Sequence, residues 1–320
     1  MRAPSMLPVL LLLLAGLGPL QGNTQTYAER LGWPEGTRAL ILHVDDAGMS
    51  HDSNRGTVRA IEQGVANSLS VMMPTPWVPE IVRWIKHNPD HDAGLHLTLT
   101  AEWRDYRWPP LSGIGATGLI DGEGVMWATV EAVVEHASAD EVEGEIRAQL
   151  SRARNMGFEP THLDSHMGTL FATDAYLERY FKVGIEERIP VMFPGGHNYF
   201  ISQQRPERAA ELAELGAQLW AAGLPVLDDL HNYSYDWPRT DKSQRYAAAV
   251  RELRPGVTMM IMHCTEPTEV FAHISASGAS RLGDLEAMLD PELRAVIAEE
   301  GIVLTTWREL MARRTAADDR

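Results

Sequence analysis

Eight short apolar runs, each of a length that suits a β-strand, alternate along this chain with stretches whose apolar residues recur at helical spacing. The runs are Leu40–Val44, Leu69–Met73, Gly94–Leu99, Thr161–Asp164, Pro190–Phe193, Pro225–Leu227, Val257–Met262 and Ile302–Thr305. Strands that alternate with helices favour a parallel sheet. No GxGxxG motif follows the first run, so the pattern predicts an α/β fold of the distorted (β/α) barrel type, TIM-like and single-domain.

The predicted helices lie between these runs. They include Asn54–Gln63, Val78–Lys86, Ala139–Met156, Thr173–Glu187, Ala209–Ala222 and Asp284–Glu300. Gly157, Gly223 and Gly301 stand where three of these helices should end. The segment Glu102–Gly124 interrupts the alternation with aromatic residues, prolines and glycines, and it is predicted to be a long, ordered and functional loop.

The first 22 residues have the layout of a signal peptide, with Arg2 before an apolar run from Leu7 to Ala15 and with Gly and Pro before a polar segment. The apolar run is short and interrupted, so we expect no stable membrane span after signal cleavage. The sequence therefore predicts an exported protein, periplasmic or secreted. The expected parts are an N-terminal extension over residues 23–37, a barrel over 38–312 and a polar tail over 313–320.

Composition narrows the class of protein further. The 320 residues are 44% hydrophobic and 22% charged, which is typical of a folded chain with a sizeable core. The formal net charge of −16 argues against a nucleic-acid partner, because phosphate backbones are bound by clustered Lys and Arg. The single cysteine, Cys264, excludes an intrachain disulfide and is predicted to be a packed, inert thiol.

Polar clusters stand at the ends of five predicted strands. They are His43-Val44-Asp45-Asp46, His96, His162-Leu163-Asp164-Ser165-His166, Asp228-Asp229 with His231, and His263. Barrel enzymes carry their reactive groups at the carboxyl ends of the strands, so these clusters should converge on one mouth. Carboxylates and imidazoles gathered at one point predict a site for one divalent metal ion with an open coordination position.

Two of the clusters suggest distinct roles. Of the adjacent Asp45 and Asp46, one can bind the cation while the other takes a proton from the attacking water. The spacing His162-x-Asp164-x-His166 puts three side chains on one side of an extended strand, so that one imidazole can bind metal while the aspartate orients a neighbour. Spacing alone does not choose between His162 and His166 as the ligand.

The other polar residues each have two interpretations. His263 ends the most apolar strand, and it is either an acid for a leaving amine or a hydrogen-bonded core residue. Asp229 and His231 either contact and orient groups of the site or belong to an acidic turn that caps a helix. Trp103 is one of several aromatic residues expected to rim the mouth, where they either stack on sugar rings or pack under loops.

These motifs resemble those of the YdjC-like carbohydrate deacetylases. The resemblance covers roughly Arg38 to Leu310. It rests on Asp45-Asp46-Ala47-Gly48-Met49-Ser50 with Asn54-Arg55-Gly56, on Gly94-Leu95-His96-Leu97-Thr98-Leu99-Thr100, on Pro160-Thr161-His162-Leu163-Asp164-Ser165-His166, and on His263.

The resemblance implies a divalent metal held by Asp46, His96 and His166, with Asp45 as the general base and His263 assisting the leaving amine. Oxygen and nitrogen ligands together suit zinc, and magnesium, manganese, cobalt and nickel stay open. The implied reaction is hydrolysis of the N-acetyl group of an amino sugar or an N-acetylated oligosaccharide.

Two other functions compete with this hypothesis. One is metal-dependent hydrolysis of another amide or an ester. The other is a catalytically silent, exported barrel that binds glycans. A binding protein has no use for a base beside the metal ligands, so Asp45 favours a hydrolase.

Overall fold

The computed structural model describes residues 25–113, 115–204 and 208–318, so the predicted signal peptide over residues 1–22 lies outside the described residues. The described residues form seven strands, all paired in parallel. They are β1 (Arg38–Ala47), β2 (Ser68–Val71), β3 (Asp92–Leu97), β4 (Leu163–Ser165), β5 (Asp229–His231), β6 (Gly256–Met262) and β7 (Val303–Leu304).

The strands form one curled sheet in the order β4-β3-β2-β1-β6-β5, with β7 paired to the first half of β1. Two isolated bridges, Leu163 to Val191 and Pro194 to Leu227, continue the pairing beyond β4. The helices return the chain between parallel strands, as this topology requires. The predicted distorted (β/α) barrel is therefore confirmed.

Two of the eight predicted strands are wrong. Pro190–Phe193 and Pro225–Leu227 contribute only the isolated bridges, while the strand in the second region lies further on, at Asp229–His231. Prolines explain the difference, because Pro190, Pro194 and Pro225 have no backbone N–H to donate to a ladder. The barrel is consequently irregular on this side.

The described residues also contain twelve α-helices. These are α1 (Tyr27–Arg30), α2 (His51–Glu62), α3 (Val78–His87), α4 (Val130–His136), α5 (Ala139–Asn155), α6 (Asp174–Glu187), α7 (Tyr199–Gln204), α8 (Ala209–Ala221), α9 (Lys242–Glu252), α10 (Gly278–Leu289), α11 (Pro291–Glu299) and α12 (Trp307–Asp318). In this part of the chain no helix has both the length and the apolar character needed to cross a membrane.

The predicted helix Asp284–Glu300 is in fact two helices. Asp290 has an extended backbone with ψ of 120°, and its side chain accepts a hydrogen bond from the N–H of Glu292. The residue before a proline avoids the helical region, and proline fits the first turn of a new helix. Pro291 therefore ends α10 and starts α11.

Alternation along β1 separates the outside of the barrel from its interior. Leu40, Leu42 and Val44 pack in the large cluster under the helices. Ile41 faces inward and packs with Met259 and Trp307 in a second cluster at the base of the barrel. His43 and Asp45 continue the inward face and are buried as well. The interior is thus apolar at its base and polar towards the carboxyl ends of the strands.

Candidate functional site

The end of β1 places two consecutive carboxylates in the mouth of the barrel. Side chains alternate between the two faces of a strand, so Asp46 would normally point away from Asp45. Asp46 instead has a left-handed backbone with φ of 64°, which breaks this alternation. The register between β1 and β2 shifts at the same place, between Val44 and Ala47. Both aspartates are buried. A non-glycine residue in this conformation is costly and is characteristic of functional sites.

Asp46, His96 and His166 bring three ligand atoms together at this mouth. Asp46 Oδ1 lies 3.3 Å from His96 Nε2 and 3.4 Å from His166 Nδ1. The two imidazole nitrogens are 3.2 Å apart. These residues come from the ends of β1 and β3 and from the 3₁₀ segment His166–Phe171 that follows β4. The three ligands that the family resemblance implies are thus neighbours.

Each of the two histidines is oriented by a carboxylate on its far side. His96 Nδ1 donates to Asp164 Oδ1 at 2.7 Å, and His166 Nε2 donates to Glu102 Oε1 at 3.0 Å. The nitrogen that remains on each ring faces Asp46, and once deprotonated it can offer its lone pair to a cation. Histidines that bind metal ions characteristically donate their other N–H to a carboxylate in this way.

The donor set fits a divalent cation. Asp46 Oδ1 is buried and has no hydrogen-bond partner, although two imidazole nitrogens lie within 3.4 Å of it. A buried carboxylate oxygen is costly without a partner, and a cation satisfies all three atoms at once. One carboxylate oxygen and two imidazole nitrogens suit zinc, and manganese, cobalt, nickel and magnesium also accept such ligands.

Arg281 holds the other oxygen of Asp46. Its Nη1 lies 2.6 Å from Asp46 Oδ2, and both side chains are almost fully buried. Burial raises the pKa of Asp46, but the charge of Arg281 and the neighbouring imidazoles of His166 and His96 outweigh burial and hold that pKa well below its usual range. Asp46 is therefore ionised at neutral pH and keeps one oxygen available for a cation.

Asp45 and His263 lie next to the three ligands. Asp45 Oδ1 accepts a hydrogen bond from Ser70 Oγ at 3.2 Å and lies 3.1 Å from His43 Nε2. Asp45 Oδ2 lies 3.9 Å from His263 Nε2. The backbone N–H of His263 donates to Asp284 Oδ2 at 3.1 Å, and burial lowers the pKa of the His263 ring. A carboxylate and an imidazole thus stand side by side beside the candidate metal centre.

A fully buried polar layer lies directly below. Asp164 joins His96 to His43, whose Nε2 contacts Asp164 Oδ2 at 2.9 Å. Burial raises the pKa of Asp164, but the two histidines outweigh it and lower that pKa. On its other side, His43 Nδ1 shares a hydrogen bond with Ser68 Oγ at 2.9 Å. His43 therefore ties Asp45 to the residue that orients His96.

His162 occupies this lower layer and does not reach Asp46. Its ring stacks on Trp307 with centroids 5.3 Å apart, and its Nε2 is 3.8 Å from Asp164 Oδ2. It packs so closely on β3 that a Cβ at Gly94 would lie 2.5 Å from the ring, so this position needs glycine. Of the two histidines that spacing left open, the structure brings His166 to Asp46.

Trp103 lies on the rim formed by the loop after β3. Its ring centroid is 6.4 Å from that of His166 and 5.5 Å from that of Trp108. The loop is anchored to the end of β1, because Tyr106 donates to the carbonyl of Met49. This geometry leaves Trp103 close enough to the site to contact a bound substrate.

The structure does not bring Asp229 and His231 to this site. Asp229 accepts hydrogen bonds from the backbone N–H groups of Phe200 and Leu230. His231 is buried among aromatic rings, with the Tyr233 centroid 4.0 Å away, and neither of its nitrogens has a hydrogen bond. Asp229 and His231 are two residues apart on β5, so they share one face of the strand, and that face is turned away from the mouth. Asp229 and His231 therefore do not make the predicted contacts with the site.

Sequence reasoning missed Glu102 and Arg281. Glu102 follows β3 after a short buried segment, and only the three-dimensional structure pairs it with His166. Arg281 did leave a signal, because Arg281, Asp284, Leu285 and Met288 share one buried face of α10. A charged residue among apolar residues on a buried helix face needs a partner, and the partner here is Asp46.

The family of the chain follows from comparison with known proteins. A family model described as YdjC-like protein matches residues 39–299. The chain belongs to the YdjC-like family. The family resemblance predicted from the motifs is therefore confirmed.

Relatives of this YdjC-like protein carry related names. A carbohydrate deacetylase of Thermus thermophilus is 31% identical over 280 residues, which are 88% of this chain and 96% of the relative. A chitooligosaccharide deacetylase of Serratia marcescens is 24% identical over 85% of this chain and 99% of the relative. A crystal structure of a candidate cellobiose-phosphate cleavage protein from Enterococcus faecalis has a TM-score of 0.74. At 20% identity, over 86% of this chain and 99% of that one, it supports the fold alone.

Proposed function

We infer that this YdjC-like protein is a metal-dependent hydrolase that removes N-acetyl groups from amino sugars or N-acetylated oligosaccharides. The observation that carries the proposal is the convergence of Asp46, His96 and His166 around one buried carboxylate oxygen that has no hydrogen bond. The names of the relatives support the substrate class. Asp45 and His263 beside the cluster supply the groups that amide hydrolysis requires.

A divalent ion held by Asp46, His96 and His166 would polarise the amide carbonyl and acidify a water molecule. Asp45 takes the proton of the water as its oxygen attacks the carbonyl carbon. His263 gives a proton to the amine nitrogen as the C–N bond breaks, so that acetate and a free amino sugar leave. His263 Nε2 and Asp45 Oδ2 are 3.9 Å apart, so an approach of about 1 Å lets the proton taken by Asp45 be returned through His263.

The chain's own residues prepare this geometry. Asp164 and Glu102 fix the tautomers of the two histidines, and Arg281 keeps Asp46 ionised. Ser70 and His43 hold Asp45 at the edge of the cluster. Groups held in place before the substrate arrives need little reorganisation during the reaction, which lowers its barrier.

The test is acetate release from a panel of N-acetylated monosaccharides and oligosaccharides. Asp45→Asn should lower kcat by about 10²–10⁴-fold through loss of the base. It should leave the metal in place, whereas Asp46→Asn should lose both metal and activity. His231→Phe is a matched control, because His231 is a buried histidine outside the site and lies among aromatic rings.

Two outcomes would contradict the proposal. Acetate release only from esters or from amides without a sugar would favour a different hydrolase. Sugar binding without release of acetate would favour a silent binding protein. Export stays part of the proposal, and it is tested by locating the mature protein outside the cytoplasm and sequencing its N-terminus.

A further inference from the structure

A cavity of about 450 Å³ opens beside Asp45 and His263. Most of its wall is apolar, and its main apolar side chains are Phe171, Met192, Phe193, Leu212, Leu230 and Ile261. Ile261 and His263 share one face of the chain at the end of β6, because they are two residues apart. The cavity is therefore continuous with the place where the amide is cleaved.

The cavity is larger than an acetyl group needs. One water molecule takes up about 30 Å³ in the liquid, so the volume corresponds to roughly fifteen such units. The polar side chains that line it among the described residues are Asp45, Ser165, Arg208, Asn232 and His263. On the rest of the described wall, a sugar hydroxyl would lose its hydrogen bonds to water and find no side chain to replace them. Apolar groups of a ligand suit this wall, because they displace water molecules that make few hydrogen bonds to it.

We propose that the natural substrate is an amphiphile, an N-acylated amino sugar that places an apolar group of several methylenes in this cavity. The apolar group is attached either through the amide, as a longer N-acyl chain, or through the glycosidic oxygen, as an apolar aglycone. This inference rests on the proposed function, because the cavity is assigned through its continuity with Asp45 and His263. The sugar ring and its hydroxyls stay in the open mouth.

Two substrate series distinguish the two attachments. One series lengthens the N-acyl chain of glucosamine from acetyl to octanoyl, and the other lengthens the alkyl group of N-acetylglucosamine glycosides from methyl to octyl. Release of the free amine is measured for both. In the series whose chain enters the cavity, kcat/KM should rise by up to about fourfold per methylene until the cavity is full.

A flat or falling kcat/KM in both series, with acetyl sugars still hydrolysed, would overturn the amphiphile proposal and leave the proposed function standing. Hydrolysis of no substrate in either series would contradict the proposed function instead. In that event, calorimetry tests the cavity directly with two pairs of ligands: octyl and methyl N-acetylglucosaminide, and N-octanoylglucosamine and N-acetylglucosamine. In at least one pair the longer chain should bind at least tenfold more tightly, and equal affinities within both pairs would overturn the proposal.

A pair of variants on α8 tests the location. Leu212 lines the cavity, whereas Leu215 lies on the same helix and packs against the core without lining it. Leu212→Gln should lower the preference for the long chain by at least about fourfold, the effect of losing one buried methylene. The preference is the ratio of kcat/KM between the long and short members of one series, so a general loss of activity does not count towards it. Leu215→Gln should retain the preference, and an equal loss in both variants would place the chain elsewhere.

Discussion

Replacement of Asp284 by asparagine tests how the structure holds His263 in place. Asp284 Oδ1 accepts hydrogen bonds from Lys242 Nζ at 2.7 Å and from the Tyr246 hydroxyl at 2.8 Å, and its Oδ2 accepts the backbone N–H of His263. The side chains of Lys242 and Asp284 are both fully buried. Asp284→Asn removes the negative charge and leaves a buried ammonium group without a counterion.

The expected loss is large. Removal of one partner of a buried ion pair costs about 3–5 kcal/mol, because the other charge stays buried without compensation. Total unfolding free energies are about 5–15 kcal/mol, so the variant should lose a substantial part of its stability. For chains of 150–250 residues, a change of 1 kcal/mol shifts Tm by about 2–4 °C, and the lower end applies to this longer chain of 320 residues, so Tm should fall by roughly 6–10 °C.

Thermal and urea unfolding measure this loss. Glu286→Gln is the matched control, because Glu286 lies on the same helix and pairs with Arg239 while both side chains are about half exposed. An exposed pair contributes no more than about 1 kcal/mol. The double variant Lys242→Met with Asp284→Leu leaves no charge at this position and should recover part of the lost stability, because the Tyr246 hydroxyl and the His263 N–H still lack an acceptor.

Activity separates the two roles of Asp284. The double variant keeps no acceptor for the backbone N–H of His263, so its kcat should stay low although the protein is folded. If Asp284→Asn unfolds at the same temperature as Glu286→Gln, the buried pair contributes no more to stability than the exposed pair does. Full activity of the double variant would refute the positioning role.

Three further predictions concern the candidate metal centre. Glu102→Gln should weaken metal binding about 10–100-fold, measured by competition with a chelator, because Glu102 orients His166. His43→Asn should lower kcat by up to about 10²-fold with metal content retained, because His43 holds Asp45 but is not a ligand. Metal affinity should fall by at least about tenfold per pH unit as the pH drops below 9, since metal and proton compete for His166 and also for His96, whose pKa nearby aspartates raise in spite of burial. Burial lowers the pKa of His166, but Glu102 and Asp46 outweigh it and raise the pKa to about 9 without a bound ion. Titration of the metal at pH 6, 7 and 8 measures the slope, and a flat response would contradict this competition.

The sequence was most informative where regular structure alone decides the outcome. Alternation of strand and helix predicts the barrel, and period two places His43 and Asp45 on the inward face of β1. The motifs resemble those of a family in which Asp46, His96 and His166 would be the metal ligands, and the structure brings these three residues together. These features follow from the local sequence pattern and from the fact that the carboxyl ends of parallel strands lie at the same face of the barrel.

Other features depended on contacts that local pattern does not record. Glu102 and Arg281 reach the site from a loop and from α10, far from their partners in the chain. His166 and not His162 lies beside Asp46, because Gly94 has no side chain and so leaves room for the His162 ring in the lower layer. Pro291, by contrast, was a visible signal for the break between α10 and α11.

The metal content of purified variants shows whether Asp46, His96 and His166 hold one ion together. Elemental analysis of the dialysed wild-type protein should find one divalent ion per chain, and His231→Phe should keep it. Asp46→Asn and His166→Gln should hold little or none while circular dichroism shows an intact fold. The same metal content in these two variants as in the wild type would contradict the claim that Asp46, His96 and His166 share one ion.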